Sequence, residues 1–90
     1  MDQKSTQELL KEREEQYGCA TAQHNCAENI ATVLENYTKE LKRTILPADM
    51  FTCRMLALKF TRMISNPKHM DNYDDIMGYT ELMKRRYESE

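Results

Sequence analysis

Four residues of this 90-residue chain are glycine or proline, and three of them fall where helical patterns end or begin. Gly18 follows the first helical pattern and suits the left-handed position after a helix C-terminus. Pro47 suits the first turn of a helix, and Pro67 prevents the preceding helix from continuing. Because β-branched residues are also few, the sequence predicts an all-α protein.

The pattern predicts one short N-terminal helix and three longer helices, which together form a small four-helix bundle. The short helix follows a capping box from Ser5 to Glu8. The longer helices are predicted over residues 22–42, over residues 47–64 and from Asp71 onward. The helix over 47–64 is the most apolar and is therefore expected at the centre. The apolar stripe of the helix before it is expected to comprise Ile30, Leu34, Tyr37 and Leu41.

Residues 1–90 are expected to form one domain, with fraying over residues 1–5 and 86–90. A domain of this size buries only about 60–65% of the surface that its unfolded chain exposes, so its own core is marginal. The three cysteines and the absence of an apolar N-terminal signal predict a reduced, cytoplasmic protein without disulfides. Self-association to a homo-oligomer is then the expected source of further buried surface.

Several classes of function are disfavoured by composition and spacing. The net charge of −2 and the mixed charges argue against nucleic acid or anionic membrane as a partner. No apolar run approaches the roughly 20 residues of a membrane span. Cys19, His24 and Cys26 lack a zinc-binding spacing, so free thiols are the preferred interpretation.

The functional prediction rests on a cationic pair followed, after a short turn, by a group of acids. Lys59 and Arg62 lie one helical turn apart, where they can hold a phosphate or form ion pairs with the next helix. Asp71, Asp74 and Asp75 open that next helix. They can bind a divalent metal, or they can cap the helix and compensate its dipole. Both interpretations stay open for both groups.

Gly78 interrupts the last helical pattern at a cost of about 1 kcal/mol relative to alanine. It indicates close approach of another helix or of a ligand, and helix packing is the preferred interpretation. Tyr73 and Tyr79 can stack on a base or pack in the core.

The same stretch resembles a phage-encoded family of small helical proteins, through the pattern Lys59-x-x-Arg62 and then Asp71-Asn72-Tyr73-x-Asp75-Ile76-x-Gly78-Tyr79. The segment from Glu14 to Gly18 and the pair Glu28-Asn29 are similar to that family as well. That family in turn resembles the MazG-like nucleoside triphosphate pyrophosphohydrolases. Those proteins are four-helix bundles that form dimers or tetramers and hold Mg²⁺ with clustered acids.

The resemblance implies a nucleotide site and a reaction. The implied metal-binding and catalytic residues are Glu28, Asp71 and Asp75. The implied ligand-binding residues are Lys59, Arg62, Asn72, Tyr73 and Tyr79. Asn25 and Asn72 stand where the related enzymes have glutamates. The expected reaction is Mg²⁺-dependent hydrolysis of a nucleoside triphosphate to a monophosphate and pyrophosphate.

Two alternatives stay open. The protein can sequester a signalling nucleotide, including a cyclic one, without cleaving it, and so counter an antiviral defence of the host. In the other alternative the polar pairs are structural, and a methionine-rich surface binds a host protein. If the protein is phage-encoded, the expected location is the host cytoplasm.

Overall fold

The computed structural model describes residues 5–17 and 19–88, and these residues form four α-helices and no strand. The all-α prediction and the predicted number of helices are confirmed. None of the described helices combines the length and the apolar character needed to cross a membrane. The helices are α1 (Thr6–Tyr17), α2 (Ala20–Thr38), α3 (Pro47–Ser65) and α4 (Asp71–Glu88).

The first two helices begin with different N-terminal arrangements. At the start of α1, the backbone N–H of Glu8 donates to the Ser5 hydroxyl at 3.1 Å, which confirms the first half of the capping box. The predicted helix-ending role of Gly18 lies outside the described residues. Cys19 is the N-cap of α2 and makes no side-chain cap hydrogen bond.

Several predicted helix boundaries differ from the structure. α2 begins at Ala20 rather than at residue 22, and α3 ends at Ser65 rather than at residue 64. α2 ends at Thr38, four residues before the predicted end at Lys42. Asp71 is the first residue of α4 rather than its cap, because the carbonyl of Met70 accepts hydrogen bonds from the N–H groups of Tyr73 and Asp74. Asp71 therefore contributes a negative charge to the first turn, where the helix dipole favours one.

α3 is the central helix, as its apolar composition predicts. It packs against α2 and against α4, while contacts between other pairs of helices are few. Because short connections join α3 to its neighbours, the three helices form an antiparallel layer. The chain is elongated, at 54 × 27 × 23 Å. Its radius of gyration of 16.1 Å exceeds the roughly 12 Å of a compact domain of this length.

Small residues form the contact between α2 and α3. Ala27 and Ala31 on α2 and Ala57 on α3 are the buried hydrophobic residues of the described chain. The predicted stripe of α2 is therefore wrong as a buried face: Tyr37 is exposed and Leu41 lies beyond the end of the helix. The alanines let the two backbones approach closely, and this contact turns the larger apolar residues of α2 to the side.

A buried carboxylate joins the start of α3 to the end of α4. Asp49 is 4% exposed, and its Oδ1 accepts a hydrogen bond from Nε of Arg86 at 3.0 Å. The Tyr87 hydroxyl donates to the other oxygen of Asp49, and Nη2 of Arg86 donates to the Thr52 hydroxyl at 3.0 Å. We expected fraying from residue 86, but these bonds hold the last turn of α4, which continues to Glu88. Residues 89–90 lie outside the described part of the chain.

Asp49→Asn tests this connection. We expect the free energy of unfolding to fall by about 2 kcal/mol, because Arg86 loses its charged acceptor in a buried site. The measurement is urea denaturation at a fixed protein concentration. Glu81→Gln is the matched control, since its ion pair with Arg85 is exposed and worth about 0.5 kcal/mol or less. Equal losses in the two variants would contradict the proposed role of Asp49.

Candidate functional site

An ion pair between α3 and α4 lies at the centre of the predicted site. Nζ of Lys59 is 2.7 Å from Oδ2 of Asp75. The Lys59 side chain is only 12% exposed, whereas that of Asp75 is 46% exposed. Lys59 is therefore held against the protein while the carboxylate remains accessible from solvent. The structural interpretation of this pair is thus observed, and its replacement by a ligand stays a prediction.

A shallow groove of about 470 Å³ runs along α4 beside this pair. Asp75, Gly78, Tyr79 and Leu82 contribute to its lining, and Arg85 lies at its far end. A Cβ atom built on Gly78 meets nothing within 4 Å. Packing against another helix of the same chain therefore does not explain Gly78. Close approach of a ligand or of a second chain remains as the reason for a glycine here.

Arg62 lines a different pocket from that of Asp75. This pocket has a volume of about 340 Å³ and lies between α1, the first turn of α2 and α3. Arg13 and His24 line the same pocket as Arg62, and Glu14 is the acidic residue of its lining. Two guanidinium groups next to the N-terminal turn of a helix attract an anion. Lys59 lines neither this pocket nor the groove along α4, so the two cations do not share one cavity.

Glu28 pairs with a cation that sequence reasoning did not single out. Its Oε2 lies 3.7 Å from Nε of Arg54 on α3, and Arg54 also forms an ion pair with Glu35. The signal for this contact was the spacing of Glu28 and Glu35, which are two helical turns apart on α2. The acid from α2 and the acid from α4 are thus each paired with a cation of α3.

The two ion pairs border one side of the helical layer. At about 100° per residue, Arg54 and Lys59 are about 140° apart around α3, and Arg62 lies on the arc between them. Arg54 binds Glu28, and Lys59 binds Asp75. The two acids therefore flank the same side of α3. We call this side, with Arg62 between the two pairs, the charged face.

The remaining predicted residues divide between different surroundings. Tyr79 lines the groove with Asp75. The hydroxyl of Tyr73 donates to the Pro67 carbonyl at 2.7 Å and so fixes the turn before α4. Two positions separate Tyr73 from Asp75, which places the two side chains on opposite flanks of the helix. The exposed Asp71 lies 3.9 Å from Nε2 of His69.

Asn72 is the largest fully buried side chain in the described chain. It is 1% exposed, and its Nδ2 atom has no hydrogen-bond partner. Leaving a buried amide donor unpaired costs about 1–3 kcal/mol. The unpaired amide of Asn72, one turn before Asp75 and Ile76, therefore lowers the free energy of unfolding.

The predicted metal-binding residues are not gathered into one cluster. Within residues 5–17 and 19–88, no group of three or more histidine, cysteine or acidic side chains is placed to hold a metal ion. Glu28, Asp71 and Asp75 are each next to a basic side chain instead. Because Mg²⁺ commonly takes one or two carboxylates together with phosphate oxygens, Asp75 fits it only with a bound phosphate. Metal binding by the three acids stays a prediction.

Comparison with known proteins identifies a family. A family model described as a domain of unknown function (DUF6378) matches residues 3–87, and the chain belongs to this family. No curated protein and no solved structure matches this chain.

Gly78→Ala tests whether the position of Gly78 is open in the folded protein. We expect this variant to unfold with a free energy about 0.5–1 kcal/mol higher than that of the wild type, because alanine is the better helix former and its methyl group meets no atom. Thermal and urea denaturation measure the change. Thr80→Ala, two residues further along α4, is the control for a general effect of alanine. A loss of stability in Gly78→Ala would show that the position is occupied in the folded protein.

Proposed function

We propose that this protein binds a nucleotide on its charged face and, in the stronger form, hydrolyses a nucleoside triphosphate to a monophosphate and pyrophosphate. The observation that carries the proposal is the pair of Lys59 and Asp75, a half-exposed carboxylate over a nearly buried ammonium, beside the open position of Gly78. The resemblance to MazG-like enzymes supplies the class of ligand.

Phosphate binding would begin by exchange at this pair. A phosphate oxygen would replace Asp75 as the partner of Lys59, because both are anionic acceptors for the same ammonium group. The low exposure of Lys59 strengthens its attraction for the incoming charge relative to a fully solvated lysine. The released carboxylate would then face the groove, where Tyr79 offers a ring on which a base can stack.

Arg62 would take the charge of a second phosphate. It is one helical turn beyond Lys59 on α3, and its pocket also holds Arg13 and His24. Cationic groups one helical turn apart on α3 match a ligand that carries several phosphates in a row. If negative charge grows on these phosphates during hydrolysis, the same groups would stabilise it.

Hydrolysis would require Mg²⁺ bound to the phosphates. The metal would neutralise phosphate charge and supply an activated water. The contribution of the chain is to place Asp75 near the phosphates once Lys59 has released it. Glu28 would contribute from the other border of the charged face after leaving Arg54.

The second candidate function is sequestration of a signalling nucleotide without cleavage, in the setting of a phage that counters a host defence. The pairing of both Glu28 and Asp75 with cations favours it. A carboxylate that already has a cation as its partner binds Mg²⁺ more weakly, because the metal must displace that cation. An ammonium or guanidinium group, in contrast, gains from exchanging a carboxylate for a phosphate.

Asp75→Asn distinguishes the two functions, because it has opposite effects on them. If the protein hydrolyses nucleoside triphosphates, the variant should release pyrophosphate at least about 100-fold more slowly than the wild type, because an essential ligand of the reaction is lost. If the protein only binds, the variant should bind the nucleotide more tightly than the wild type, because Lys59 no longer has an internal anion. Each ribo- and deoxyribonucleoside triphosphate with Mg²⁺ is tested for pyrophosphate release.

Calorimetry with linear and cyclic nucleotides, with and without Mg²⁺, gives the binding constants for the same proteins. Lys59→Gln should weaken binding about tenfold or more under either function. Lys84→Gln is the control, since its pair with Glu88 lies at the exposed end of α4. Absence of both turnover and binding in the wild type would reject the nucleotide role altogether.

A further inference from the structure

A second groove lies between α2 and α3, on the side of the layer opposite to the charged face. Its volume is about 280 Å³. Cys26 and Ile30 form its α2 wall, and Phe60 and Ile64 form its α3 wall. Around α3, Phe60 and Ile64 are both roughly 160° from Arg62, which places the groove and the charged face on opposite sides.

The apolar surface continues beyond this groove along α2. Cys26, Ile30, Val33 and Tyr37 follow one another at spacings of four, three and four residues, which is one stripe of a helix. Val33 and Tyr37 are exposed, and Ile64 is 80% exposed. We call this stripe, with Phe60 and Ile64 of α3, the apolar face.

The distribution of side chains is the reverse of that in a self-sufficient domain. The buried hydrophobic residues are alanines, whereas the exposed ones include Val33, Phe60 and Ile64. In a chain that folds alone, valine, isoleucine and phenylalanine are among the residues most often buried. The large apolar residues of this chain are therefore placed for burial against something outside the single layer.

The accessible surface of the chain is larger than that of a compact monomer of the same mass. The chain exposes 7216 Å², against about 5,500 Å² for a compact monomer of its mass. The excess is about 1,700 Å², and α1, whose residues 6–15 are exposed, accounts for part of it. A standard stable interface removes about 800 Å² from each partner. The part of the excess that does not belong to α1 or to the chain ends is the surface that a second copy can cover.

The chemistry of the groove favours a second copy of the same chain as the occupant. None of the residues that line the groove is charged. In a two-fold dimer the same patch meets itself, so a charged patch would bring like charges together near the axis. An uncharged apolar patch has no such conflict and satisfies the self-complementarity that a two-fold interface requires.

We propose that two copies of this chain pack through their apolar faces about a two-fold axis. The product is a two-layer helical assembly in which the large apolar residues of α2 and α3 form the core between the layers. The two charged faces then point outward, on opposite sides of the dimer. This inference does not depend on the proposed function, because it uses the other side of the layer.

Ile64→Glu tests the interface, with Val33→Lys as a second variant on the facing helix. Sedimentation equilibrium should give the wild type a mass of twice the chain mass of 10.7 kDa. Each dimer of either variant carries two buried charges, so we expect its dissociation constant to rise about 100-fold or more. Leu82→Glu, a comparably exposed apolar residue on the charged side of α4, should leave the dissociation constant unchanged. Circular dichroism verifies that each variant is folded.

Thiol labelling gives an independent readout of the same surface. Cys26 lies on the groove wall, whereas Cys19 lies in the pocket of Arg62, and both are exposed in the single chain. In the wild-type dimer Cys26 should react with a maleimide at least about tenfold more slowly than Cys19, because the second copy covers it. In Ile64→Glu the two rates should become similar.

Three results would overturn the proposal. One is a wild-type protein that is monomeric at every concentration. If Cys26 is protected from labelling in such a monomer, the same chain covers its own groove. Another is a dimer that dissociates in Leu82→Glu but not in Ile64→Glu, which would place the interface on the charged side of α4. The third is a dimer of unchanged affinity in both Ile64→Glu and Val33→Lys.

Discussion

The close contact of α2 and α3 through alanine side chains determines how the rest of this structure is arranged. Ala31 and Ala57 are fully buried, which brings the two backbones together and turns the larger apolar residues of both helices toward the sides of the layer. None of the large apolar side chains of α3 is fully buried, and Phe51, Phe60 and Ile64 are exposed. The layer is therefore left with two broad sides. One carries the ion pairs together with the exposed Phe51, and the other has a groove without charged residues.

The charged face arises from the position of α3 between two helices that carry acids. Arg54 reaches toward α2 and Lys59 toward α4, so each border of the face is an ion pair. Such pairs stabilise a surface only modestly, yet they keep cations and carboxylates close to one another in an accessible place. An incoming phosphate can exchange with the carboxylate of a pair, and this is the physical basis of the proposed nucleotide site.

Local signals in the sequence predicted what local interactions decide. Ser5 and Pro47 mark helix starts correctly, and the apolar composition of α3 identifies the central helix. The contact of Lys59 with Asp75 is the expected result of a short turn between antiparallel helices. The hydrogen bond from Arg86 to Asp49, 37 residues away in the chain, carries no local signal, so the sequence did not predict it.

Periodicity identified two residues of the apolar face of α2, Ile30 and Tyr37, but assigned them to the core of the single chain. A helical pattern specifies which side chains share a face, but it does not specify whether that face meets the same chain or another. The groove at Gly78 illustrates the same limit, because a glycine in a helix indicates close approach without identifying what approaches. The exposed residues of α2 are explained if the layer is half of a larger assembly.

The central claim is that a single copy of this chain does not bury enough apolar surface to be stable alone. Urea unfolding of the wild type at protein concentrations that span about three orders of magnitude tests it most directly, since association stabilises a folded state by mass action. The account predicts a midpoint that rises steadily with protein concentration. A midpoint that stays constant over this range would contradict it.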